Sequence, residues 1–159
     1  MPSTDLSRRA VITGLGAVTP IGNDHPTFWA NAKAGVSGGG PITHFDASNL
    51  DVRIAAEVKD FDPSTAMDRK MARRMSRFIH FAMAAGKEAV ADAGLDFSEW
   101  TPEQRDRVAV IVNTGGGGLE QVIDGHVTTM ERGPRFVSPF AIPALSGSMA
   151  ACMLSMEYG

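Results

Sequence analysis

The sequence predicts an α/β fold with a mostly parallel or mixed sheet. Three observations carry this. A short β-prone run, 10–14, opens the chain, and an uninterrupted β-branched run, 108–112, lies far downstream. Between them, 68–93 repeats apolar residues at helical spacing. Strands separated by helices make parallel neighbours joined by crossovers.

Each element has its own local reason. Ala10-Val11-Ile12-Thr13-Gly14 reads as a buried strand after a flexible polar tail, 1–9. A loop punctuated by Gly14, Gly16 and Gly22 follows. A helix is expected from Pro26 to Lys33, with Gly35 as its stop. The glycine-rich stretch 35–41 reads as loop, and 53–58 as a weak edge strand. Met75, Phe78, Ile79, Ala82, Ala85, Ala89, Val90 and Ala93 form the apolar stripe of the long helix, with Gly94 as its C′ residue. Trp100-Thr101-Pro102 is a polar connection. The unbroken run 108–112 suits a strand covered on both faces. Gly115 to Gly118 end it, a helix follows over 119–130, and Gly133-Pro134 marks a turn. The segment 146–156 predicts a closely packed helix that Gly159 is placed to end.

Composition narrows the function. A chain of 159 residues fits one domain and buries a real core. Net charge is −3, so no global bias favours nucleic acid or an anionic membrane. No apolar run is long enough to span a bilayer, and the N-terminus lacks a signal-peptide core. A cytoplasmic protein is the resulting expectation. A single cysteine, Cys152, excludes an internal disulfide and a cysteine-based metal cluster. His25, His44, His80 and His126 show no metal spacing, and His80 reads as a surface or boundary residue.

Nucleotide motifs fail on inspection. Gly14-Leu15-Gly16 lacks the third small residue of a dinucleotide fingerprint, because Thr19 stands there. Pro20 and Gly22 oppose a helix start, so the loop reads as a structural turn. Gly115 to Gly118 lack the Lys-Ser/Thr of a P-loop. They read as a tight turn, a close approach to a ligand, or both. Cys152 falls inside a helical run, away from any N-terminus that would stabilise a thiolate. It reads as a small buried apolar residue with a structural role. Arg69, Lys70, Arg73, Arg74 and Arg77 follow one another with no acidic residue between. On one helix, Arg69, Arg73 and Arg77 would share a line. Such a cluster is either a solvated helix face or a dock for an anionic partner.

Taken in order, several segments resemble one family. Residues 9–22, His44-Phe45-Asp46, Val58-Lys59-Asp60-Phe61, the basic run 68–75, Gly117-Gly118-Leu119, Gly133-Pro134-Arg135 and Ser138-Pro139-Phe140 are similar to the β-ketoacyl-[acyl-carrier-protein] synthase II family. The resemblance runs from about Arg9 to Gly159. It implies a thiolase-like layered α-β-α-β-α fold, of which 10–159 would be an incomplete N-terminal half. It implies an acyltransferase that elongates acyl chains by decarboxylative Claisen condensation, as a homodimer and without a cofactor. The family's nucleophilic cysteine follows the helix that corresponds to the end of this chain, and both catalytic histidines come later still. No catalytic residue is therefore expected here, Cys152 is not the nucleophile, and the chain alone should not condense.

The resemblance also implies substrate contacts. By position, Arg69, Lys70, Arg73, Arg74 and Arg135 look like the docking patch for an acidic acyl carrier protein. Gly116 stands where members often carry a bulky aliphatic residue lining the acyl tunnel. Ala141 stands where a partner-subunit phenylalanine often borders it. Both changes remove volume, which implies a wider or longer acyl pocket. Two other readings stay open: a non-catalytic chain-length-factor paralogue, and a nucleotide-binding α/β module.

Overall fold

A computed structural model describes residues 9–159; the expected tail, 1–9, lies almost wholly outside the described residues. Among the described residues nine helices and strands follow in order: α1 (His25–Lys33), β1 (Gly39–Pro41), β2 (Ile54–Ala56), α2 (Arg69–Ala72), α3 (Arg77–Asp92), α4 (Pro102–Arg105), α5 (Leu119–Arg132), α6 (Ala141–Leu145) and α7 (Met149–Tyr158). Short 3₁₀ turns occupy Pro63–Thr65 and Pro134–Phe136.

Helix ends follow their local chemistry. Asp24 caps α1 by accepting from the Thr27 N–H at 2.7 Å. After α1, Gly35 adopts φ +69° while its N–H reaches the Ala32 carbonyl and Val36 reaches Asn31. After α3, Gly94 repeats the device at φ +64°, with Leu95 donating to Val90. Both are Schellman closures, as glycine at each C′ position predicts. Thr101 and Gln104 cap each other at α4, a helical turn beyond the polar connection expected at Trp100-Thr101-Pro102.

The core forms where α3 meets α7. Ile79 and Met83 from α3 pack with Ala150, Met153 and Leu154 from α7, closed by Ala66. A Cβ added at Gly86 would lie 2.6 Å from Leu154 Cδ2, so the missing side chain lets the helices approach.

Several expectations need correction. The sheet is two short antiparallel strands, Gly39↔Ala56 to Pro41↔Ile54, not a parallel array. β2 lies within the expected edge strand, whereas β1 falls in a stretch read as loop. The runs 10–14 and 108–112 join no ladder. Among the described residues no strand lies beside them, so they form no ladder hydrogen bonds, and Val11, Ile12 and Ile111 are exposed. A strand exists only with its neighbour. The expected helix 68–93 is broken in two, because Ser76 is extended (φ −73°, ψ 157°) and buried. Its hydroxyl donates to a distant carbonyl, and that tertiary bond outweighs helical propensity.

Candidate functional site

The break between α2 and α3 organises the basic segment. Asp68 caps α2 through the N–H groups of Lys70 and Met71 at 2.9 and 3.0 Å. Arg69, Lys70 and Arg73 are exposed. Arg74 lays its guanidinium over the Phe140 ring at 4.3 Å, which ties this segment to the stretch that carries Arg135. There, Arg132 and Arg135 both sit over Phe136, at 4.8 and 4.7 Å. Arg77 is committed elsewhere, donating to the Val58 carbonyl at 2.7 Å and lying over Phe81. The single-line arrangement of Arg69, Arg73 and Arg77 is therefore not formed. Among the described residues the ion pair is Lys87–Glu157, so Arg69, Lys70, Arg73, Arg74 and Arg135 form no salt bridge there, although Arg69 lies near enough to Asp62 to help lower the pKa of its carboxyl.

The glycine turn packs tightly. Gly117 holds φ +57°, and a Cβ there would strike the Leu145 carbonyl. A Cβ at Gly118 would strike Ser76 Oγ and the Ala144 carbonyl. Close backbone approach thus explains Gly117 and Gly118. Gly116 is different: it is exposed, and the nearest atom to an added Cβ is the flexible end of Leu119 at 3.3 Å. Ala141 begins α6 and is half-buried.

The N-terminal glycine loop is structural. Cβ atoms at Gly14 and Gly16 would strike the Ala89 and Ala85 carbonyls of α3. The Leu15 N–H donates to Asp92 Oδ2 at 2.9 Å and the Ala17 N–H to Glu88 Oε2 at 2.8 Å. The donors a pyrophosphate would need are already held by carboxylates. Glu88 also accepts from the His25 N–H at 2.7 Å, joining the first loop and α1 to α3. The sequence reading missed Ser76, Glu88 and Asp92. An acidic residue within the alanine-rich stretch of α3 was the available signal for Glu88.

Cys152 is exposed, not buried as the sequence suggested. On α7, Ala150, Met153 and Leu154 face the core, and Cys152 lies on the other side. His80 sits at the boundary as expected, its Nε2 2.8 Å from the Ala72 carbonyl. Among the described residues, no cluster of His, Cys, Asp and Glu is placed to hold a metal ion. No helix there is long and apolar enough to cross a membrane. A cavity of about 350 Å³ lies between α3, α7 and 108–112, lined by Val90, Phe97, Val110, Val112, Leu154 and Tyr158 among others.

Comparison with known proteins fits this arrangement. Residues 7–159 match the family model described as beta-ketoacyl synthase, N-terminal domain. The 3-oxoacyl-[acyl-carrier-protein] synthase 2 of Synechocystis sp. is 43% identical over 152 residues, 96% of this chain and 36% of that protein. Its counterpart from Staphylococcus aureus is 44% identical over 153 residues, again 36% of that protein. The chain thus spans about a third of the length of these relatives. Among solved structures, the ishigamide ketosynthase/chain length factor aligns with a TM-score of 0.76 at 27% identity, over 93% of this chain and 36% of that one. A beta-ketoacyl synthase from Burkholderia phymatum gives 0.73 at 27%, over 93% and 36%. A ketosynthase complex with a type II acyl-carrier protein, 21% identical, shares the fold with a TM-score of 0.74 over 94% of this chain and 38% of that one. With the N–H groups of the first glycine loop held by carboxylates and residues 7–159 matching the family model, this chain belongs to the β-ketoacyl synthase family, whose N-terminal domain it matches.

Proposed function

We propose that this chain is the N-terminal portion, 10–159, of a β-ketoacyl-[acyl-carrier-protein] synthase that extends acyl chains by decarboxylative Claisen condensation. The nucleophilic cysteine and the two histidines belong to the remaining length that the relatives possess. Cys152, in the first turn of α7 and not deep in the helix as the sequence suggested, has no part in the chemistry. In the complete protein, 10–14 and 108–112 become strands of the layered thiolase-like fold. Their β-branched residues, outside any ladder and with Val11, Ile12 and Ile111 exposed, support this. The protein works as a cytoplasmic homodimer, a reading supported by the exposed apolar side chains of α5: Leu119, Val122, Ile123, Val127 and Met130.

One observation carries the substrate assignment: Arg69, Lys70, Arg73, Arg74 and Arg135 gather on adjoining segments and form no salt bridge among the described residues. An acidic carrier protein supplies the missing charge. The ketosynthase of known structure bound to an acyl-carrier protein gives the type of partner. Gly116 and Ala141 contribute to a roomy acyl pocket, the first in its own copy and the second toward the partner copy.

The test is charge reversal in the complete enzyme. Arg73→Glu with Arg74→Glu is expected to raise KM for acyl-carrier substrates about tenfold or more, in line with like-charge juxtaposition costing several kcal/mol. Small thioester mimics should be turned over as before. Equal loss with both substrate types would overturn the docking assignment.

A further inference from the structure

α6 is five residues long and contains Pro143, so it makes few hydrogen bonds of its own. Its last carbonyls need donors from elsewhere. Ser76 Oγ donates to the Ala144 carbonyl at 2.6 Å, and the Gly118 N–H donates to the Leu145 carbonyl at 3.0 Å. Both donors arrive from distant parts of the chain. Ser76 is 2% exposed and Ala144 is 0% exposed, so water cannot substitute at this point. Gly118 lacks a Cβ because Ser76 Oγ and the Ala144 carbonyl fill that space. Three segments therefore meet at one buried hydroxyl. They are the break between α2 and α3, the glycine turn that carries Gly116, and α6, which begins at Ala141.

We infer that Ser76 is a positioning residue for acyl-length selection. Its hydroxyl holds α6 in register against the Gly116–Gly118 turn, and so sets both the wall at Gly116 and the wall that Ala141 presents to the partner copy. This rests on the pocket reading of those two residues. The same hydroxyl links the carrier-docking segment to the pocket, since it lies between Arg74 and α3.

Removing the hydroxyl leaves the Ala144 carbonyl without its donor and lets α6 shift. The test uses the complete enzyme and a series of small acyl thioesters of graded length, which bypass carrier docking. The readout is the ratio of kcat/KM between the favoured acyl length and its longer and shorter neighbours. Ser76→Ala is expected to change that ratio about fivefold, the worth of one buried hydrogen bond. Ser76→Cys, near in size with a weak donor, should fall between. A lowered Tm with an unchanged ratio would show a purely structural role and overturn the inference. Where Ser76→Ala does not fold, Ser76→Cys decides by the same criterion. Gly116→Ile, tested alongside, is expected to shorten the accepted chain. If it does not, the Gly116 wall is wrong, while a shifted ratio in Ser76→Ala still supports positioning through Ala141.

Discussion

Glu88 shows how much one side chain can hold. Its two oxygens accept from the Ala17 and His25 backbone N–H groups, at 2.8 and 2.7 Å. Charge-assisted bonds of this kind are stronger than neutral ones. Glu88→Ala strands both donors in a half-buried site and is expected to destabilise the protein by about 2 kcal/mol. Glu88→Gln keeps one acceptor and should cost roughly half as much. Denaturant unfolding of both variants checks this; equal costs would show that only one bond matters. Ser76 belongs to the same class, a polar side chain whose partner lies far off in sequence. Neither role was legible beforehand, because a lone Ser or Glu has no spacing that reveals its acceptor or donor. Cys152 was misjudged for a related reason: apolar neighbours on a helix do not say which side faces the core.

Helix ends were the most legible features at the scale of elements. Gly35 and Gly94 both end helices, and both have positive φ. Local rules sufficed there, because a left-handed residue and its hydrogen bonds lie within a few positions. The Asp24 cap of α1 is equally local. The Thr27 N–H holds its carboxyl below the ordinary Asp range, with the Thr27 hydroxyl assisting. A carboxyl with a lowered native pKa stabilises the fold above its unfolded value, about 4. That contribution disappears as pH falls through the lower native value. Asp24→Ala should therefore cost about 1 kcal/mol at pH 7, and the gap to the native protein should narrow as pH drops below about 4. Unfolding at pH 7 and pH 3 measures it, and a gap independent of pH would refute the charged cap. The break between α2 and α3 was not legible, since 68–93 keeps its helical periodicity straight through Ser76.

Across the whole molecule, charge and apolar surface are unevenly placed. The chain is mildly acidic at −3, yet its basic residues gather between 69 and 77 and around Arg132 and Arg135. A local field of this kind steers an anionic partner without making the protein basic overall. Carrier docking should consequently weaken as ionic strength rises, because these groups are exposed and screened. The charge-reversed Arg73→Glu, Arg74→Glu protein should lose that salt dependence, which titration at low and high salt would show. The apolar surface is concentrated in a few segments. Val11, Ile12, Ile111 and the exposed residues of α5 are what sheet neighbours and a second copy would cover.

The family was readable from the sequence alone, because its turn glycines, basic run and loop motifs each depend on local backbone needs and occur in order. The β character of 10–14 and 108–112 was readable too, but a strand becomes one only beside its neighbour. That is why the parallel sheet expected from those runs is replaced here by a small antiparallel pair. Tertiary structure alone decided where the long helix breaks and which arginines form no salt bridge among the described residues. It also decided that one buried hydroxyl joins the basic segment, the glycine turn and α6. Those outcomes depend on partners up to 68 residues apart, and no local pattern encodes that separation.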